Sequence, residues 1–475
     1  MMAIGAIGIG IGFFNAPKTT EEVEKILAAD AHGHSESHTV ATHTAGEMPK
    51  VMQADTHAAV TTSEATPTET ITVEDSTKTA STAISINHHY EKALAEEAHL
   101  EHQKHLKHVL NQLQNKPWAA LYVACIFLML LSLGALAFYA IQQVAQAGWS
   151  PVLFRVMQGI TAYLPVGSVI FFVILVLSAM NFNHLFVWMD PELLDKTKPT
   201  FDKLIFNKSG YLNIPFWLIR AAIFLTGWNL YRYFSRKNCL AQDAATDNAF
   251  YKKNFNISAM FLVFFIVTES IMSWDWIMSI DPHWFSTLFG WYVFASFFVS
   301  GITTICMVTL YLKSIGLLEK VNTSHIHDLA KFMFGISVFW TYLWFSQFML
   351  IWYSNIPEEV GYFITRIQDF NLPFFGMIVM NFVFPILILI NTDFKRLTWI
   401  LVMAGTVILL GHYVDFFNMI MPSTVGTQWF IGISEISSLL FFVGLFIYVV
   451  FNALTKAPLL PTRNPYIEES KHFHY

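Results

Sequence analysis

Cysteine is almost absent from this chain. Cys125, Cys239 and Cys306 stand far apart, with no C-x-x-C and no C-x-x-C-H. That excludes iron–sulfur ligation and c-type haem attachment by this polypeptide. Charge is scarce too: 13% of residues, against roughly 25% in soluble domains. No Lys falls in the interior of the long apolar runs, and among histidines His184 and His412 lie in or near them. A b-type di-haem site needs His pairs on facing helices, so it is not expected. The formal charge of −6 sits in loops, and nucleic acid is not an expected partner.

What is abundant is apolar surface. Hydrophobic residues make up 54% of the chain, 44 of them Phe, and the mean hydropathy is +0.46. No single water-facing core could bury so much, so lipid must solvate most of it. Runs of about 20 apolar residues or more predict spans near 118–143, 161–187, 214–234, 256–278, 287–313, 331–353, 373–391, 397–417 and 431–453. Met1 to Phe14 is a tenth segment. It covers only about 21 Å as a helix, and Gly5, Gly8, Gly10 and Gly12 would let it pack closely. No basic residue precedes it, so a short span is favoured over a signal peptide. The expected fold is therefore an all-α integral membrane protein of about ten transmembrane helices.

Residues 17–117 are a different material. From Ala31 to Thr82 the segment is rich in Ser, Thr, Ala, His and Glu without apolar periodicity, which predicts little structure. From about His88 to Asn115 the pattern turns helical. His99, His102, His105 and His108 stand three apart on that helix. Three-residue steps drift around a helix, so a solvated or partner-facing helix is favoured over a metal site. No metal site is expected.

Three short signatures occur twice in the same order. Asn213-Ile214-Pro215-Phe216 matches Asn371-Leu372-Pro373-Phe374. Asp275-Trp276, followed by Pro282, matches Asp415-Phe416, followed by Pro422. Trp188 near Pro191-Glu192 is a weaker match to Trp352 near Pro357-Glu358. In each copy an Asp-aromatic pair is expected to end a helix, with Pro seven residues after the Asp. This predicts two parallel four-helix repeats, 118–278 and 279–417, with the first span (1–16) and the last span plus tail (418–475) beside them. Basic residues in the 235–255 loop and the C-terminal tail place both termini on the cytoplasmic side and 17–117 outside.

An ionisable side chain at the centre of a span costs about 2.5–3.5 kcal/mol on insertion scales. The candidates are Arg220, Glu269, Asp275, His184, His412, Asp415 and Glu435, with Asn181, Asn229, Gln347 and Asn381 as polar companions. Glu269 is flanked by Phe264, Phe265, Ile266, Val267 and Ile271, so it is either protonated or paired. Arg220 on the preceding helix is its expected counter-charge, as a structural pair or a proton relay. Asp275 could cap the turn after it or share a role with Asp415. His412 and Asp415 share a helix face. Such a couple could bind and deprotonate a hydroquinone hydroxyl, or His412 could be a helix-end residue satisfied by a carbonyl. Asn181 and His184 repeat that spacing, with an aromatic-belt helix end as the plainer reading. Glu435 is explained by the N-terminus of the last span.

The run Ser273-Trp274-Asp275-Trp276-Ile277-Met278-Ser279-Ile280-Asp281-Pro282-His283-Trp284-Phe285-Ser286-Thr287 resembles the membrane subunits of bacterial alternative complex III. The likeness is to the quinone-binding ActF type, related to the NrfD/PsrC membrane anchors. It covers nearly the whole chain. The resemblance implies a bacterial inner-membrane subunit of a quinol:electron-acceptor oxidoreductase in the respiratory chain. Menaquinol would be oxidised near the outer face, with haem and iron–sulfur centres held by partner subunits and a terminal oxidase downstream. It implies either a quinol-associated role or a proton path, beside an ActC-like sister subunit. A secondary transporter and a purely structural anchor remain the competing readings. The family's quinol motif has no residue-by-residue match here, so the site residues rest on burial.

Overall fold

The computed structural model describes residues 1–27, 73–427 and 430–474, apart from the side chains of 73–98, 100 and 101. The expected unstructured stretch lies outside these residues as far as 72. The chain divides into two compact units, residues 17–111 and residues 1–16 with 112–475.

Among the described residues the protein is helical throughout, with no strand. In chain order, α1 is Met2–Asn15, α2 Val73–Val144, α3 Phe154–Ile160 and α4 Tyr163–Ala179. Then follow α5 Lys203–Lys208, α6 Ile214–Ala244, α7 Ala249–Trp276, α8 Phe289–Ser314 and α9 Thr323–Ser354. The remainder are α10 Pro357–Gln368, α11 Asn371–Ile378, α12 Phe384–Leu389, α13 Thr398–Val425, α14 Ile433–Leu454 and α15 Ile467–Lys471. A π-helical turn, Val379–Val383, joins α11 to α12. Among the described residues, 8 helices are long and apolar enough to cross a membrane, so this is a multi-pass membrane protein. The other two expected segments are α6, 31 residues long and outside those eight on composition, and α1, which has 14 residues.

In the smaller unit, helix α2 begins at Val73 rather than near His88. His99, His102, His105 and His108 are exposed, and His102 Nε2 lies 3.4 Å from Glu24.

In the membrane unit, the spans of α2 and α8 are the most completely buried, so they form the axis on which the other helices pack. Glycine makes their contact possible. A methyl group at Gly301 would stand 2.6 Å from the Ala135 nitrogen, and one at Gly134 would stand 2.5 Å from the Phe297 oxygen. Only hydrogen at those positions allows the backbones so close. Around the axis, α6 packs on α7, α9 and α13 on α8, and α1 on α14.

Two expected helix ends are corrected. The span expected to reach residue 187 stops at Ala179. Asn181 takes φ 59° there, with the Phe182 N–H on the Leu177 carbonyl and the Asn181 N–H on that of Ser178. This is a left-handed C-terminal cap of the kind Asn tolerates, so Asn181, His184 and Trp188 do not share a helix face. The second Asp-aromatic pair does not end its helix: α13 runs past Asp415-Phe416 and through Pro422 to Val425. The first pair does end α7, at Trp276.

Candidate functional site: two buried carboxylate centres

Asp275 sits one residue before the end of α7 and is fully buried. Arg220 of α6 grips it with two parallel bonds, Nε to Oδ2 at 2.6 Å and Nη2 to Oδ1 at 2.9 Å. The register of α6 on α7 sets this choice. Trp217 Nε1 donates to the Asp275 carbonyl at 2.8 Å, and further along Trp228 Nε1 donates to Thr268 at 3.0 Å. Arg220 therefore meets Asp275 and not Glu269, which lies six residues or about 9 Å further along the axis. The expected Arg220–Glu269 pair is not formed. The guanidinium also donates to the Tyr211 carbonyl and lies against the Tyr211 and Phe216 rings, 4.0 and 4.2 Å from their centroids. This centre is closed: bidentate, desolvated and complete on the arginine side.

Asp415, on α13, is equally buried, but its partners are neutral. The Tyr292 hydroxyl donates to Oδ1. Ser296 Oγ and Trp340 Nε1 donate to Oδ2, both at 2.8 Å. His412 Nδ1 lies 3.6 Å from Oδ2 and 2.9 Å from Ser296 Oγ. Ser296 has one proton to give. When it gives that proton to Asp415, its bond to His412 must use the imidazole Nδ1–H. Nε2 is then a bare acceptor, buried and without a hydrogen bond. No Lys or Arg pairs with Asp415 among the described residues. The centre is a chain of exchangeable groups, Tyr292–Asp415–Ser296–His412, across α8 and α13.

The π-helical turn adds a polar group beside this chain. Asn381 lies inside it, fully buried, and neither of its amide atoms has a hydrogen bond. A methyl group at Gly411 would fall 2.1 Å from Asn381 Oδ1, so the glycine before His412 is what lets Asn381 in. Single π turns inside α-helices often mark functional positions.

The other expected residues are dispersed. Glu269 is buried on α7; its Oε1 accepts from Ser270 at 2.7 Å, and its Oε2 has no hydrogen bond. His184 has an exposed side chain in the loop after α4, and only its backbone is tied, by two bonds to Asn115 at 2.9 and 3.0 Å. Glu435 accepts from the Gly432 N–H at 2.8 Å and caps α14, as the sequence suggests. No group of three His, Cys, Asp or Glu side chains suited to a metal occurs among the described residues.

Sequence reasoning missed Tyr292, Ser296, Trp340 and Arg366. It also missed a second buried network, in which the Tyr139 hydroxyl meets Gln143, Gln158, Ser235 and Asn254 at 3.0–3.2 Å. Tyr292, Ser296 and Ser300 stand four apart on α8. That i, i+4 stripe of hydroxyls was the signal available.

Arg366 is explained by Pro422. A proline within a helix leaves the carbonyl four residues back without its N–H partner. Here that carbonyl belongs to Asn418, and Arg366 Nε donates to it at 2.9 Å while Nη2 reaches Met419 O at 3.4 Å. Nη1 donates to Tyr362 O at 2.8 Å, and the guanidinium lies 3.3 Å from the centre of the Tyr362 ring. Burial pulls its pKa below the ordinary arginine value, against the opposing pull of Tyr362 and Asp281.

Two hollows flank the centres. One, of about 500 Å³, lies beside the Asp275 end of α7, between Lys208, Tyr211, Leu212, Trp274, Trp284 and Phe285. The other is a polar cleft of about 330 Å³ in the loop face, with Asp281, His283, Glu358, Thr365, Arg366 and Ser423 on its walls. Comparison with protein-family models gives no match for this sequence, and comparison with curated proteins gives none either.

Proposed function

We propose that this chain is a proton-handling membrane subunit of a quinol:electron-acceptor oxidoreductase, with Asp415 as its exchanging carboxyl. The observation that carries this reading is the Asp415 centre: a buried carboxyl held by a tyrosine, a serine and an indole, with a histidine on the same serine and no cation. An acid held only by neutral donors can take or lose a proton without first breaking an ion pair. Ser296 and Tyr292 can each accept a proton on one side while giving one on the other, which moves charge along the chain with no net change in either hydroxyl.

The Ser273 to Thr287 run and its likeness to alternative complex III subunits support the quinol part of the reading. In that role the haem and iron–sulfur centres belong to partner subunits. The 500 Å³ hollow is within the size range of ligand sites and would suit the ring and first isoprene units of a quinol. The paired signatures around Asp275 and Asp415 support two parallel repeats, and the basic residues of the 235–255 loop and the C-terminal tail support cytoplasmic termini.

A second reading, a structural anchor, is favoured by one observation, the closed Arg220–Asp275 pair. We assign that role to the first half and proton exchange to the second. The test is purification in mild detergent followed by quinol oxidation with a pH-sensitive dye. The account expects haem-bearing partners to co-purify and Asp415→Asn to abolish quinol-dependent proton release. A solitary colourless protein, or full proton release in Asp415→Asn, would overturn it.

A further inference from the structure

A small, partly open cavity lies between α8, α9, α10, α11 and α13, beside the Asp415 centre. Its free volume is about 10 Å³, the space of one water molecule. Tyr292, whose hydroxyl donates to Asp415, lines it. So do Gln347 and Asn418, which are 4% and 2% exposed. Gln347 Nε2 and Asn418 Oδ1 are buried and have no hydrogen bond. A donor and an acceptor, both unsatisfied, thus belong to residues around a water-sized space, with a hydroxyl as third partner. Buried water typically occupies such sites.

The cavity shares two lining residues with the polar cleft of the loop face, Tyr362 and Arg366. Arg366 is 3% exposed and is held by carbonyls and an aromatic ring, with no carboxylate among its hydrogen-bond partners. A fixed cation between an open cleft and a buried acid opposes the passage of a positive charge, as arginines do in pores that exclude protons.

We propose that the cavity is a single-water site held by Gln347, Asn418 and Tyr292, and that Arg366 with Tyr362 gates its connection to the loop face. The proposal rests on the reading that Asp415 exchanges protons. In the step itself, the Asp415 carboxyl O–H gives its proton to the Tyr292 oxygen while the Tyr292 O–H gives its own to the water. When Arg366 swings aside, the resulting hydronium passes its proton to Asp281 or Glu358 in the cleft. The reverse sequence brings a proton in. No redox change is involved, and Arg366 is a positioning residue throughout.

The test uses the whole purified complex and reads hydrogen–deuterium exchange at the Trp340 indole N–H, by NMR of the ¹⁵N-indole-labelled protein. Arg366→Met should speed that exchange about tenfold or more, because the cation barrier is gone. Gln347→Leu should slow it by removing the water's donor. Gly361→Trp should also slow it. Gly361 lines the cleft, and a Cβ there meets nothing within 4 Å, so the ring can block the mouth without disturbing a buried contact. Unchanged exchange in Arg366→Met and in Gly361→Trp would overturn the gate. If those variants behave as expected but Asp415→Asn still releases protons, the proposed function fails and the access route stands.

Discussion

The two halves of the membrane unit carry the same Asp-aromatic pair and bury it equally, yet they finish it differently. In the first, the helix ends at Trp276 and Asp275 is locked by Arg220. In the second, α13 continues through Pro422, and Arg366 goes to the orphaned Asn418 carbonyl. Asp415 is left to hydroxyls, an indole and a histidine. In the aligned copies the position of Arg220, seven residues after Asn213, is taken by Ile378, seven after Asn371, so the second acid has no matching cation. Burial alone therefore does not make a proton site. What the acid is paired with decides.

This contrast can be broken most forcefully at Arg220. Arg220→Ala leaves Asp275 charged and desolvated, and thermal unfolding in detergent should show a loss of about 3–5 kcal/mol. Replacing both partners by apolar residues of similar volume should recover most of that loss. A closed structural pair behaves this way; a proton relay would not be rescued. Asp415→Asn should do the opposite, shifting the unfolding temperature little while lowering quinol-coupled proton release by about 10² or more. If the two variants gave the same pattern, the halves would not differ in role.

A smaller effect tests why Arg366 is where it is. Pro422→Ala returns an N–H to the Asn418 carbonyl, so Arg366→Met should cost less in that background. A coupling of about 0.5–1 kcal/mol is expected in a double-mutant cycle; additive losses would sever Arg366 from the proline. A similarly small effect lies in the loop of the first half. Asp202 caps α5 through the Leu204 and Ile205 amides, at 2.8 and 3.0 Å, and meets His283. Burial pushes its carboxyl up, but the bonds from Ile205, His283 and Leu204 outweigh burial and hold it below the ordinary carboxylate value. The cap therefore contributes fully above that value and is lost as pH falls through the lowered one. Asp202→Ala should cost about 1 kcal/mol at neutral pH, and the difference from the unmodified protein should vanish in strong acid.

Much of the fold was legible because apolar runs announce helices whatever their neighbours. Helix ends were less so. The stop at Ala179 depends on Asn181 adopting a left-handed conformation, and the passage of α13 through Pro422 depends on Arg366, 56 residues away in sequence. The site was half legible. His412 and Asp415 share a face by spacing alone, and both stood out as ionisable groups in apolar surroundings. Arg220 was assigned to Glu269 because sequence gives no register between α6 and α7; the indole bonds of Trp217 and Trp228 set it. Tyr292, Ser296 and Trp340 passed unnoticed, because one hydroxyl or indole in an apolar helix looks like any other until its partner is known. His184 was misplaced for the same reason as the helix end before it.

The most direct measurement is a carboxyl-region infrared difference spectrum of the intact complex between its resting and quinol-reduced states. The account predicts an aspartate band that changes on reduction, vanishes in Asp415→Asn and persists when Arg220 and Asp275 are both replaced by apolar residues. A spectrum in which Asp415→Asn leaves every carboxyl band unchanged would contradict it.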